Sequence, residues 1–271
     1  MRNYFFLLFS IFYLSSAFSQ SAIDGFLKGK NVLDLAFSAS YQTADEYIGA
    51  NGKFDYSRDL VIFNVFGEYG ITDKLDVIAT LPVINGKLQD GAGYLKYKLV
   101  DLNISNQKLS LIPAIGFSGP LSNYQTQSGQ AIGQRATQFH GHLVLQTTLH
   151  SGFYWQIQSA YHHALDPVPS SYTVSSKLMF SRNKLYLDFW YEYQKGLGSI
   201  TYTSASVDFR TLTVDYQRVG GVVFYNLKNN WGSFLSASYI FAGLDTNLAT
   251  TISLGVTKKI IFKSKKVEAI E

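Results

Sequence analysis

Three histidines have a spacing that could bring their imidazole rings together. His140 and His142 are two residues apart and would therefore lie on one face of an extended strand. A hairpin that turns at Ser151-Gly152 makes the numbers of facing residues sum to about 302, which places His140 opposite His162. Grouped imidazoles can bind a transition metal ion or titrate together. The spacing fixes no carboxylate or fourth ligand, so ordinary polar residues of a wet interior remain the alternative.

Charged residues on predicted strands form a second group of candidates. Counting along the predicted hairpins brings Glu68 beside Asp76 and places Lys98 close to Asp76, while Lys177 meets Asp188 across another turn. Charges that face a lumen can select ions, or they can cross-link the interior into a salt-bridged filling. Both interpretations stay open. The predicted lumen and selectivity residues are Glu68, Asp76, Lys96, Lys98, Lys177 and Asp188.

Side chains of alternating polarity recur in runs of about ten residues from Asn31 to Phe262, which is the pattern of a strand with two different faces. In the first run Leu33 and Phe37 lie on an apolar face, while Asp34 and Ser38 lie on a polar face. The predicted strands are 31–41, 59–70, 75–84, 91–100, 108–118, 136–149, 153–163, 172–181, 185–195, 213–226, 231–241 and 248–262.

The connections between these strands alternate in length. Short ones near 72–74, 151–152, 182–184 and 228–230 interleave with long polar ones at 42–58, 119–135 and 196–212. Strands of this length match the ~9–11 residues that cross a bilayer when tilted, and a sheet in hydrocarbon must close on itself. The predicted fold class is therefore all-β, a transmembrane antiparallel up-and-down β-barrel of about 12 strands. A large soluble β-sandwich is the alternative.

The two ends and the composition indicate an exported protein. Arg2, the apolar run 4–14 and the small residues Ala17 and Ser19 predict a secretory signal peptide, cleaved before Gln20. The predicted organisation is a signal peptide at 1–19, a barrel at 20–262 and a short charged tail at 263–271. The absence of cysteine excludes a disulfide scaffold, and a net charge of +4 is too small to indicate nucleic-acid binding. The predicted location is the outer membrane of a Gram-negative cell.

Aromatic residues on the apolar face gather near both ends of the predicted strands, as in the two interfacial girdles of a membrane barrel. The last strand ends in Phe262, which resembles the terminal aromatic signal of barrel assembly, although nine residues follow it. Outer-membrane lipid and the barrel assembly machinery are thus the expected partners, besides a small solute. The girdle residues are Tyr69, Trp155, Trp231 and Phe262 on the turn side and Tyr41, Tyr161, Tyr193 and Phe241 on the loop side.

Four stretches of the chain carry a family resemblance: a Gly-Ile-Thr-Asp-Lys-Leu-Asp turn at 70–76, the pair Leu81-Pro82, a Lys-Tyr-Lys strand at 96–98 and the stretch from Pro113 to Pro120. With these stretches, about a third of the chain resembles the MetA-type outer-membrane transporters of phenol-degradation pathways. The order Asp90-Gly91 is reversed relative to the family. The resemblance implies a channel-like protein that is often linked to small hydrophobic or aromatic solutes.

The residues and the resemblance together predict a passive channel without a cofactor, and not an enzyme. Long loops would narrow its mouth, and the loop 42–58, with Tyr47, Phe54 and Tyr56, could fold inward or stay on the surface. A structural or adhesive barrel with a filled lumen is the alternative. A phospholipase-type hydrolase is the third hypothesis, but it needs an outward histidine near an outward serine. The predicted register instead turns His140, His142, His150 and His162 inward.

Overall fold

The structure is a computed structural model that describes residues 23–104, 107–126, 134–203 and 208–262. Its strands join into a single antiparallel sheet. Apart from one 3-10 turn at Phe209–Thr211, the described elements are strands. They are β1 Val32–Gly49, β2 Gly52–Gly70, β3 Leu75–Ile84, β4 Lys87–Leu88, β5 Asp90–Tyr97, β6 Val100–Ile104, β7 Gln107–Pro120, β8 Gln138–His150, β9 Phe153–Ala164, β10 Ser171–Arg182, β11 Leu185–Gly196, β12 Asp215–Asn226, β13 Trp231–Leu244 and β14 Thr246–Ile261.

The sheet closes into a barrel of twelve strands. β1 pairs on one side with β14 and on the other with β2, β2 pairs with β3, and β3 is followed around the ring by β5 and then β7 to β14. The short strands β4 and β6 only lengthen the neighbouring hairpins, by pairing with β3 and β7. The predicted fold class is confirmed. Closure gives each of the twelve ring strands two neighbours, so the ring has no open edge.

The polarity of the barrel is the inverse of that of a soluble protein. Outward apolar side chains are exposed, with Ile115 at 67%, Leu254 at 64% and Phe189 at 61%, while the inward residues Asp76 and Lys96 are both 0% exposed. An apolar exterior of this extent is stable in hydrocarbon and would aggregate in water. Two tryptophans of the predicted girdle, Trp155 and Trp231, are exposed near the turn ends of their strands, where an interface would lie.

The predicted long loop at 42–58 is wrong. β1 continues to Gly49 and β2 begins at Gly52, so this stretch is a hairpin extension. Backbone pairing alone extends the ladder beyond the membrane, where neither face must be apolar, and polarity alternation therefore misses it. Tyr47 does not lie free on the surface: it is buried, and its ring centroid lies 5.2 Å from that of Phe54 and 5.7 Å from that of Tyr202.

Other boundaries differ by a few residues. The predicted strand 91–100 is interrupted after Tyr97, because Lys98 and Leu99 separate β5 from β6. Parts of the predicted loops 119–135 and 196–212 lie outside the described residues, as do the predicted signal peptide and the tail 263–271. Among the residues that the structure describes, no helix is long and apolar enough to cross a membrane.

Candidate functional site

A segment at residues 23–30, which we call the N-terminal segment, lies inside the barrel. It precedes β1 and therefore enters from the turn end of the ring. Ile23 is fully buried and packs in a cluster with the inward-facing residues Ile78, Ile112 and Val144. The segment is too short and irregular to show a periodicity, so its sequence predicts neither a strand nor this position. The segment fills part of the lumen.

Hydrogen bonds from the segment's backbone fix it to the barrel wall. The Gly25 N–H donates to Gln156 Oε1 at 2.9 Å, and the Lys28 N–H donates to Asp76 Oδ2 at 2.9 Å. At the entrance, a Cβ on Gly70 would overlap the carbonyl group of Gly29. A glycine at position 70 is thus what lets the two backbones approach so closely.

Lys96 is the centre of an ion-pair cluster between the segment and the wall. Its Nζ lies 2.5 Å from Glu68 Oε1, 3.2 Å from Asp24 Oδ1 and 3.9 Å from Asp76 Oδ2, and it donates to the Phe26 carbonyl at 2.6 Å. A fully buried ammonium group needs partners of this kind, because an unpaired buried charge is costly. Asp24 and Phe26 belong to the segment, so the segment supplies part of the site.

Lys28 extends this cluster towards β1. Its Nζ lies 3.1 Å from Glu68 Oε2 and 3.4 Å from Asp34 Oδ2. Glu68 therefore bridges two lysines, one on the wall and one on the segment. The lysine cluster, as we name it, consists of Asp24, Lys28, Asp34, Glu68, Asp76 and Lys96.

The structure brings some of the predicted charged residues together and separates others. Glu68, Asp76 and Lys96 share the lysine cluster. The predicted proximity of Lys98 to Asp76 is wrong, because the register pairs Asp76 with Lys96, and Lys98 instead lies 3.7 Å from Asp101. The predicted pairing of β3 with β5 is out of register by two residues. A shift of two residues leaves each side chain on the same face of the sheet but gives Asp76 a different partner.

Lys177 and Asp188 do meet on the lumen side of the wall, at 3.9 Å. They are diagonal neighbours and not a directly facing pair, since Lys177 faces Trp190 and Asp188 faces Met179. Diagonal neighbours remain within reach of long side chains.

Two adjoining cavities lie within the lumen. The first, of about 850 Å³, lies beside the N-terminal segment, and the second, of about 520 Å³, lies towards the loop end. Gln42 and Arg218 line both cavities. The first is lined among others by Phe66, Tyr154, Tyr186, Trp231 and Phe234, and the second by Tyr94, His140, His162, Gln194 and Phe209.

Two arginines lie where the cavities meet. Arg58 Nη2 donates to Gln42 Oε1 at 2.5 Å, and Gln42 Nε2 donates to Thr251 Oγ1 at 2.7 Å. Arg218 Nη2 lies 2.5 Å from Glu192 Oε1. We call Gln42, Arg58, Glu192 and Arg218 the arginine border. Neither arginine is among the predicted lumen residues: Arg58 lies in the predicted loop 42–58, and Arg218 lies in the predicted strand 213–226, where the alternation of polarity does not single it out.

The three predicted histidines meet on the wall of the second cavity. The register places His140 opposite His162, as predicted, and one ring nitrogen from each of His140, His142 and His162 lies within 4.8 Å of the others. The prediction for His150 is wrong, because a register shift between Thr148 and His150 leaves that side chain exposed at the turn.

Loop residues narrow the loop end of the barrel. Gln134 Nε2 donates to the Leu212 carbonyl at 3.2 Å, which joins two loops beside the second cavity. The buried Tyr124 donates from its hydroxyl to Asp90 Oδ1 at 2.6 Å. Burial, and then this carboxylate, raise the pKa of Tyr124, so the hydroxyl keeps its proton and holds the loop against β5.

The comparisons with known proteins identify the fold. No family model and no curated protein matches the sequence. The COG4313 outer membrane channel from Pseudomonas putida F1 is similar in structure, with a TM-score of 0.67, 11% identity and coverage of 90% of this chain and 100% of that one. The NanC porin has a TM-score of 0.56 at 9% identity, covering 85% and 100%. The KdgM porin has 0.52 at 8% identity, covering 82% and 98%. The chain thus has the fold of outer-membrane β-barrels.

Proposed function

We propose that this chain is an outer-membrane channel through which a small solute passes down its gradient. The observation that carries the proposal is the pair of adjoining cavities, which lie on either side of the arginine border within a closed ring. The apolar exterior suits a membrane, and the solved structures of the same fold include an outer membrane channel and two porins.

The proposed route runs from the loop end through the second cavity, across the arginine border, and then beside the N-terminal segment. The segment is fixed to β3, β5 and the neighbouring wall, through Asp76, Lys96 and Gln156. The first cavity therefore lies between the segment and the opposite wall, where Ser38, Thr251 and other inward residues of β1 and β14 line it. In this arrangement the segment sets the width of the route.

The solute we propose has an aromatic or apolar body and an anionic group. Phe66, Tyr154 and Tyr186 of the first cavity offer surface to such a body. Arg58 forms no ion pair within the described ranges, and its guanidinium group is therefore able to attract an anion. The resemblance to MetA-type transporters supports a small hydrophobic or aromatic solute as well.

A structural barrel with a filled lumen is the second candidate function. The lysine cluster favours it, since this cluster cross-links the segment to the wall across part of the lumen. The two candidates differ in whether the folded barrel conducts.

Single-channel recording in a planar bilayer distinguishes the two. The purified, refolded chain is compared with Arg58→Gln and with Arg182→Gln, which removes the same charge from an exposed position at the end of β10. We expect discrete current steps, and a lower permeability for chloride and for benzoate relative to potassium in Arg58→Gln only. Heat-modifiable gel mobility confirms folding of each variant. A folded barrel without conductance would contradict the channel and support the filled barrel.

A further inference from the structure

The proposed channel does not account for the histidines in the wall of the second cavity. His140 Nδ1 and His162 Nδ1 are 2.7 Å apart, and the ring centroid of His142 lies 5.5 Å from that of His162. Two imidazole nitrogens at this distance share one proton, with one donating and the other accepting. His142 Nε2 is buried and has no hydrogen-bond partner among the described residues. Buried polar atoms of this kind require an explanation.

The other nitrogen of each ring is held by a polar side chain outside the group. His140 Nε2 lies 2.8 Å from Ser118 Oγ, and His162 Nε2 lies 3.2 Å from Thr173 Oγ1. His142 Nδ1 lies 2.9 Å from the amide end of Gln158. An amide turned by 180° presents Oε1 to an Nδ1–H group, which leaves the lone pair on Nε2. Histidines that bind a metal are oriented by outer hydrogen bonds of this type.

The distances suit a single ion. Two nitrogens that each lie about 2.0–2.1 Å from a tetrahedral zinc ion are about 3.4 Å apart. His140 Nδ1 and His162 Nδ1 are 2.7 Å apart, and one nitrogen from each of the three rings lies within 4.8 Å of the others, so rotations of the rings can bring three nitrogens to one point. A metal ion at that point would replace the shared proton and satisfy His142 Nε2.

We propose that His140, His142 and His162 bind one divalent first-row transition metal ion, such as zinc or copper. Imidazole nitrogens suit these ions, whereas calcium and magnesium prefer oxygen ligands. All three residues line the second cavity, so the fourth coordination position faces the lumen and accepts water or an anionic group. The site needs neither conductance nor a particular solute, and it stands independently of the proposed channel.

The test measures binding of Zn²⁺ alone to the refolded chain, purified in detergent without a polyhistidine tag. Titration calorimetry gives the stoichiometry and affinity for the natural chain and for His142→Ala. His163→Ala is the matched control, because His163 is adjacent in sequence to His162 but exposed. A second variant, Ser118→Ala, leaves all three ligands in place and removes only the outer partner of His140. Copper bound in place of zinc reports the number of nitrogen ligands by electron paramagnetic resonance.

We expect one zinc ion per chain, three nitrogen ligands on copper, and unchanged binding in His163→Ala. Ser118→Ala should weaken binding by ~10–100-fold, and His142→Ala should weaken it further, because it removes a ligand. No saturable site in the natural chain would overturn the proposal. Equal affinity of His142→Ala and the natural chain, or an equal loss in His163→Ala, would overturn it too. Because Ser118→Ala keeps the ring packing, it tests the site even where His142→Ala fails to fold.

Discussion

Lys96 forms ion pairs and a hydrogen bond with the N-terminal segment, which lies far from its own strand in sequence. Strand alternation predicts that Glu68, Asp76 and Lys96 lie on the polar face of their strands, and in the structure all three side chains are buried. It does not reveal Asp24, which lies 72 residues from Lys96 in sequence and forms an ion pair with it. The inward direction follows from a local pattern, whereas the partner depends on where an irregular segment folds.

Replacing Lys96 by methionine should destabilise the barrel strongly. The change leaves Glu68 buried without its shortest ion pair, and breaking a buried pair from one side costs ~3–5 kcal/mol. Lys98→Met is the matched control, because Lys98 is partly exposed and its pair with Asp101 should contribute less than ~1 kcal/mol. Urea titration in lipid vesicles, followed by tryptophan fluorescence, measures both. Equal loss in the two variants would show that the lysine cluster has no special weight.

At the scale of elements, the strands were predictable and the irregular pieces were not. Twelve runs of alternating polarity gave twelve barrel strands, because a membrane enforces one apolar and one polar face. The hairpin extension at 42–58 is not predicted by polarity alternation, because water on both of its faces imposes no such pattern. The position of the N-terminal segment is not predictable from its own residues, because it depends on Gly70, Gln156 and other residues distant in sequence.

Gly70→Val should displace the N-terminal segment and raise the single-channel conductance. The added side chain would overlap the Gly29 carbonyl, while the strand around position 70 keeps its pairing with β3. Gly141→Val is the control, since a Cβ there meets no atom within 4 Å. Planar-bilayer recording compares the two variants with the natural chain. Unchanged conductance in a folded Gly70→Val barrel would mean that the segment does not limit the route.

At the scale of the whole molecule, the lipid around the barrel determines which outward side chains are compatible with a stable fold. Leu235→Arg should lower the free energy of unfolding by ~2–4 kcal/mol. The reason is that the Leu235 side chain points outward, midway between Trp231 and Tyr239 on β13. Tyr239→Arg, on the same outward face but farther towards the loop-side interface, should lower the free energy of unfolding by only ~0–1 kcal/mol. Unfolding in vesicles of defined lipid measures this difference. Equal losses of unfolding free energy at the two positions would contradict the prediction that Leu235 lies deeper in the bilayer than Tyr239.

The attachment points of the N-terminal segment also constrain the order of assembly. They lie on β1, β2, β3, β5, β7, β8 and β9, which are consecutive around the ring and are the first seven of its twelve strands. A wall of these seven strands already presents the complete binding surface, before β14 meets β1. The N-terminal segment can thus act as a template on which these strands assemble, and its buried charges lose contact with water only when β14 pairs with β1.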